Sequence, residues 1–153
     1  MGKLGDRVAI VTGAGRGIGA ATAVALANQG AHIVLAAKTS REIETVANRV
    51  RTIGRQALAV PTDVSKKEQV DALAAEAYQA FGQVDILVNN AGVAIHNPIP
   101  KIELSDWQTT LDVNLTGAFL CTQAVFENMC QQKIRAYHKC LFYSWCTGRR
   151  RIW

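Results

Sequence analysis

Thr12-Gly13-Ala14-Gly15-Arg16-Gly17-Ile18-Gly19 decides the reading of this chain, because an apolar run over 8–11 feeds it and an alanine-rich helical run over 20–27 leaves it. The order is strand, glycine turn, helix. Glycine permits the tight turn and lets backbone N–H groups approach a pyrophosphate, while the positive end of the following helix favours the anion. The turn therefore reads as a dinucleotide site. Taken alone, such glycines would also suit a flexible loop, and it is the flanking sequence that separates the two readings.

An alternating series follows. The apolar pattern predicts a strand over 33–37, a helix over about 41–53, a strand over 57–60, a helix over 66–81 and a strand over 86–88. Thr39/Glu42 and Ser65/Glu68 have capping-box spacing at two helix starts, and Gly30, Gly54 and Gly82 stand where helices should stop. Short apolar strands alternating with helices predict an α/β fold whose parallel sheet is covered on both faces. Residues 98–110 read as a surface loop leading into a short helix, with Ser105 and Gln108 at capping-box spacing. A further helix over about 113–129 has Leu115, Phe119, Val125 and Phe126 to cover.

With these elements in place the residues resemble the short-chain dehydrogenase/reductase family. Its cofactor motif, Thr-Gly-x-x-x-Gly-x-Gly, is met in full by residues 12–19. Asp63-Val64 follows the third strand, Asn89-Asn90-Ala91-Gly92 follows the fourth, and Asn114 stands in Asp112-Val113-Asn114-Leu115 at a helix start. The resemblance covers about residues 5–132. It implies a Rossmann-type doubly wound parallel sheet of order 3-2-1-4, incomplete here because strands 5–7 are missing. Residues 1–132 would then be a partial NAD(P)-binding domain, and 133–153 a basic tail foreign to the family.

The resemblance also implies roles. Gly13, Gly17, Ile18 and Gly19 would carry the dinucleotide, and Asp63, followed by Val64, would accept a hydrogen bond from the adenine amino group. As a bare residue type Asp63 also suits a helix-flanking turn carboxylate, but the cofactor role is the favoured reading. Asn90 and Gly92 lie at the carboxyl edge of the fourth strand, beside the switch point where a ligand binds, and in the family this segment lines the nicotinamide ribose. Asn114 is the one remaining member of the family's catalytic set, where it organises a proton relay through ordered water near the catalytic lysine. As a bare residue type it also suits a helix cap.

Cofactor choice is written at the end of the second strand. An NAD site of this type places a carboxylate there for both ribose hydroxyls, but this chain has Ala36-Ala37-Lys38-Thr39, with no acid at that point. Lys38 could meet a 2′-phosphate, and Arg16 is a second cation on the same side. The pair favours NADP(H) over NAD(H), although both could be ordinary solvated charges.

The family pattern stops after Lys133. Its chemistry needs a serine at the end of a fifth strand and a Tyr-x-x-x-Lys on the next helix, with the tyrosine as general acid/base and the lysine lowering its pKa. Tyr78 lies in the third helix, Tyr137 has Leu141 at the lysine spacing, and Tyr143 has Thr147. Composition also shifts: Lys133, Arg135, Lys139, Arg149, Arg150 and Arg151 come with no acid, so the net charge of +5 belongs to this tail. Five of the ten aromatic residues, Tyr137, Phe142, Tyr143, Trp145 and Trp153, are there too. Out-of-frame translation from Ile134 onward is the expectation that explains both. Reading its codons one base later permits Tyr-Gly-Arg-Ile-Ile-Asn-Val-Ser-Ser-x-x-Gly, the family's fifth strand and serine motif, with the serine at codons now read near Phe142. The encoding DNA tests this.

Other signals are weaker. The arginine cluster beside Trp145 and Trp153 has the composition of a nucleic-acid contact, but a lone basic cluster without a binding fold predicts no such partner. Cys121, Cys130, Cys140 and Cys146 lack Cys-x-x-Cys spacing and His32, His96 and His138 are scattered, so no metal site is expected. With no signal peptide and no apolar run of membrane length, the expected location is cytoplasmic.

The functional expectation is the cofactor-binding part of an oxidoreductase that moves hydride between NADP(H) and a small carbonyl or alcohol substrate, inactive as this chain. The alternatives are a non-catalytic nucleotide-binding fragment or the inert product of a frameshifted gene. The parent is expected to be a homo-oligomer, and this chain to aggregate through surfaces that a larger core would bury.

Overall fold

The structure is a computed structural model that describes residues 2–131. Expectations for the basic tail and its reading frame lie outside the described residues. Strand β1 (Val8–Thr12) is buried at all five positions, which is why its sequence is a continuous apolar run rather than an alternation. Beside it lie β2 (His32–Ala37) and β4 (Ile86–Val88), and β3 (Ala57–Pro61) pairs with the far side of β2. All pairs are parallel and the order is β3-β2-β1-β4, as the sequence reading expects. Ile10 stands opposite Val34 on one side and Leu87 on the other.

Successive strand residues point to opposite faces, so the sheet divides the core in two. Ile10, Val34 and Ala36 pack with the helices α3 (Lys67–Phe81) and α5 (Gly117–Gln131); Ala9, Val11, Ile33 and Leu35 pack with α1 (Gly17–Asn28) and α2 (Ser40–Thr52). Each helix contributes a stripe at helical spacing: Ala20, Ala23 and Ala27 from α1, Ile43, Val46, Ala47 and Val50 from α2, and Val70, Leu73, Ala74 and Ala77 from α3. Alanine on α1 holds that helix close to the sheet. Burying a side chain such as Ile43 contributes about 1.5–3 kcal/mol.

Gly30, Gly54 and Gly82 stop helices as expected, at φ of 100°, 87° and 73°, where other residues are strained. The capping boxes differ from expectation. Thr39 is the N-cap of α2 but makes no side-chain cap bond. Helix α3 is capped at Lys66 instead of Ser65, because the Ser65 hydroxyl is committed to Asp63 Oδ1 at 2.7 Å. Helix α4 (Leu104–Leu111) starts after Glu103, so Ser105 lies inside it, and Gln108 Nε2 donates to Asp112 Oδ1 at 2.8 Å rather than reaching backwards. The helix expected from residue 113 is longer and less regular. A π turn at Asp112–Thr116 joins α4 to α5 in one helical path.

Below the sheet, at the amino ends of the strands, buried Asp85 ties the entry of β1 to that of β4. Its carboxylate accepts from Arg7 Nη1 at 2.6 Å, the Val8 amide at 2.8 Å and Gln83 Nε2 at 2.9 Å. On α5, Gly117, Cys121, Val125 and Met129 face inward, whereas Leu115, Phe119 and Phe126 are exposed. Of the four apolar residues expected to need cover, only Val125 is covered within the described residues.

Candidate cofactor site at the glycine turn

The carboxyl ends of β1, β2 and β4 meet the amino end of α1 at the glycine turn. Thr12, the last residue of β1, is buried, and its hydroxyl organises the junction: Oγ1 accepts from the Asn90 and Ala91 amides, both at 3.0 Å, and donates to the Val88 carbonyl at 3.3 Å. Asn90 reaches back, its Nδ2 donating to the carbonyls of Thr12 at 3.0 Å and Gly13 at 3.2 Å. The segment after β4 is thus welded to the turn after β1, although some 78 residues separate them in sequence.

These contacts explain the glycine pattern. A Cβ on Gly13 would fall 2.8 Å from Ala91 Cα, and one on Gly19 would collide with the Gly13 carbonyl oxygen, so both positions need the close backbone approach that only glycine allows. Gly17 differs. Its φ is 55° and a Cβ there would meet no atom within 4 Å, so the side of the turn at the first residue of α1 is open. Ile18 is exposed beside it at 55%. An open turn at a helix amino end, with its orphan N–H groups and positive dipole, fits a pyrophosphate. Arg16, the N-cap of α1, is exposed at this rim.

Lys38 and Asp63 are brought together from the ends of β2 and β3: Lys38 Nζ lies 2.8 Å from Asp63 Oδ2. Asp63 Oδ1 accepts from the Ser65 amide and hydroxyl at 3.0 and 2.7 Å. Burial pushes the Asp63 carboxyl up, but the hydrogen bonds from Lys38 and Ser65, with the Lys38 charge, outweigh it and hold the group below its ordinary value. Val64 is buried under α5, where a Cβ on Gly117 would fall 2.7 Å from its Cγ2, so its side chain serves packing.

Asn114 lies in the π turn, a feature often found at functional sites. Its Oδ1 accepts from the Val93 amide and its Nδ2 donates to the Val93 carbonyl, both at 2.8 Å, and Gly92 lies against it. Asn90, Gly92 and Asn114 therefore form one continuous edge above β4.

One residue at this edge escapes the sequence reading. The end of β2 carries no acid, yet the structure brings one to it: a Cβ on Gly15 would fall 2.9 Å from both Cβ and Oε2 of Glu42, and 3.7 Å from Ala37 Cβ. Glu42 was legible only as a capping residue, because its place against Gly15 depends on how α2 packs. Among the described residues there is no group of three or more His, Cys, Asp or Glu able to hold a metal, and no helix long and apolar enough to cross a membrane.

The described fold agrees with what comparison with known proteins shows. The family model for short chain dehydrogenase matches residues 7–135. The chain is 42% identical over 134 residues to a 3-oxoacyl-[acyl-carrier-protein] reductase of Synechocystis sp., covering 87% of this chain and 54% of that protein. It is 40% identical over 132 residues to an uncharacterised oxidoreductase of Staphylococcus aureus, covering 86% and 56%. Among solved structures, a short-chain type dehydrogenase/reductase from Mycobacterium marinum superposes with a TM-score of 0.81 at 34% identity, over 84% of this chain and 52% of that one. A metagenomic short-chain oxidoreductase in complex with NADP gives a TM-score of 0.80 at 35% identity, over 84% and 59%. The chain belongs to the short-chain dehydrogenase/reductase family of oxidoreductases, whose cofactors are NAD(P). It spans about half the length of the curated relatives it matches.

Proposed function

We propose that this chain is the NADP(H)-binding part of a short-chain oxidoreductase whose full-length relatives move hydride between the dinucleotide and a small carbonyl or alcohol substrate. The observation that carries the reading is the open glycine turn: Gly17 at positive φ, with nothing above it, at the amino end of α1 and the carboxyl ends of β1 and β4. The bound dinucleotide would supply the hydride chemistry. The chain's own residues bind and orient: the turn from Gly13 to Gly19, with Ile18, holds the pyrophosphate; Lys38 and Arg16 meet a 2′-phosphate; Asp63 and Val64 border the adenine; Asn90, Gly92 and Asn114 border the nicotinamide ribose. The NADP complex of the metagenomic relative supports the preference for NADP(H).

No Tyr-x-x-x-Lys, the pair that serves as general acid/base in the family, occurs in the 153 residues. The chain is accordingly proposed to bind dinucleotide without turning it over. The exposed row of Leu115, Phe119 and Phe126 supports association with further copies of the chain. Titration with NADPH followed by nicotinamide fluorescence, together with an assay of carbonyl reduction, tests the reading. Saturable binding with no turnover is expected. Absence of binding favours an inert product, and turnover refutes the proposed inactivity.

A further inference from the structure

We infer that Glu42 is a specificity-determining residue for the dinucleotide, acting against the 2′-phosphate that Lys38 and Arg16 favour; the inference rests on the glycine turn being the cofactor site. The end of β2 is where a carboxylate would read two ribose hydroxyls, and by sequence that end is Ala37 followed by Lys38. Folding fills the gap from elsewhere. Glu42, the third residue of α2, lays its side chain in the notch between the glycine turn and the end of β2. A Cβ on Gly15 would meet Glu42 Cβ and Oε2 at 2.9 Å and Ala37 Cβ at 3.7 Å, so these three residues share one small space.

A side chain on Gly15 would therefore force the Glu42 carboxylate, and with it the Cβ and the start of α2, to shift. Glu42 is half-buried, and among the described residues its carboxylate forms no ion pair with a Lys or Arg. A carboxylate accepts hydrogen bonds and cannot donate them. Beside an unphosphorylated ribose it has two hydroxyl donors to accept from. Beside a 2′-phosphate it has none, and it adds a like charge at close range. Lys38 reaches the same rim, 63% exposed and held by Asp63, which leaves two of its three N–H groups for a phosphate. The ribose end of the site therefore holds opposed charges, and the cofactor preference is their balance.

Two variants shift that balance differently. Glu42→Gln keeps the shape and removes the charge; Gly15→Ala keeps the charge and pushes it away. The probes are NADPH and NADH, each titrated by nicotinamide fluorescence into the full chain and both variants, with thermal melts confirming the fold. In Glu42→Gln the ratio of Kd for NADH to Kd for NADPH should rise on the order of tenfold, and Gly15→Ala should move it the same way. Lys38→Met should lower it. If the wild-type chain binds dinucleotide and the ratio stays within twofold in both Glu42→Gln and Gly15→Ala, the role of Glu42 is refuted and the cofactor site stands. If the wild-type chain binds neither dinucleotide, the cofactor site itself is refuted, and this inference with it.

Discussion

Lys38 Nζ lies 2.8 Å from Asp63 Oδ2, so the cation suited to a 2′-phosphate and the carboxylate suited to an adenine amino group are bonded to each other. Asp63 is held below its ordinary value of 3.8, because hydrogen bonds from Lys38 and Ser65 outweigh the opposing effect of burial. A depressed carboxyl pKa contributes stability that is present above the ordinary value and lost as pH falls through the folded one. Lys38→Met removes part of that support. Following the Asp63 carboxyl carbon by NMR should show its titration move upward in the variant, and an unchanged midpoint would count against the pair.

The turn glycines are unequal. Gly19→Ala drives a methyl into the Gly13 carbonyl, whereas Gly17→Ala meets open space and costs only the strain of a positive φ. Denaturant melts should show a loss of about 1–2 kcal/mol for Gly17→Ala and more than about 3 kcal/mol for Gly19→Ala. Equal losses would mean that the turn relaxes freely.

Asp85 closes the bottom of the sheet. Asp85→Ala leaves the Val8 amide without its acceptor, Gln83 Nε2 with only the Asp6 carbonyl, and Arg7 without its partner, and should cost about 2–3 kcal/mol. Arg7→Gln should cost less, roughly 0–1 kcal/mol, because the Arg7 side chain is 49% exposed. Urea midpoints of the two variants check the order.

His32 stacks on Phe81 with ring centroids 5.8 Å apart and accepts at Nδ1 from the Gln56 amide at 3.1 Å. Burial pushes its pKa below 6.5, Arg55 pushes the same way, and Asp6 opposes them. The folded state thus binds the proton less readily than the unfolded chain does. Stability linked to His32 should be complete above pH 6.5 and decline as pH falls below it. Melting at pH 7.5 and pH 5.5 should differ for the wild type, and His32→Gln should narrow the difference.

Phe119 and Phe126 stand on the exposed side of α5, 60% and 50% accessible. Sedimentation velocity should show self-association of the chain, reduced by Phe119→Lys with no loss of melting temperature. A monodisperse wild-type monomer would refute the expectation.

Much of the fold was legible because it rests on local rules. Continuous apolar runs such as that of β1 mark strands buried on both faces, and Gly30, Gly54 and Gly82 mark stops because few other residues tolerate positive φ. Capping was less legible. Ser65 has the spacing of a cap, but its hydroxyl is taken by Asp63, a contact that spacing does not reveal. The π turn around Asn114 was likewise hidden, since the sequence shows a helical period and not where one residue is accommodated in excess.

By itself the sequence determined the glycine turn and the family, because those depend on residue type and on spacing along the chain, and the resemblance to the family implied the strand order. The tertiary structure alone decided which distant side chains share a space: Thr12 with Asn90, Lys38 with Asp63, and Glu42 with Gly15. The reason is that charge and hydrogen bonding act over a few ångströms. The packing of α2 on the sheet, which spacing along the chain does not show, therefore decides that Glu42 lies against Gly15 near the end of β2.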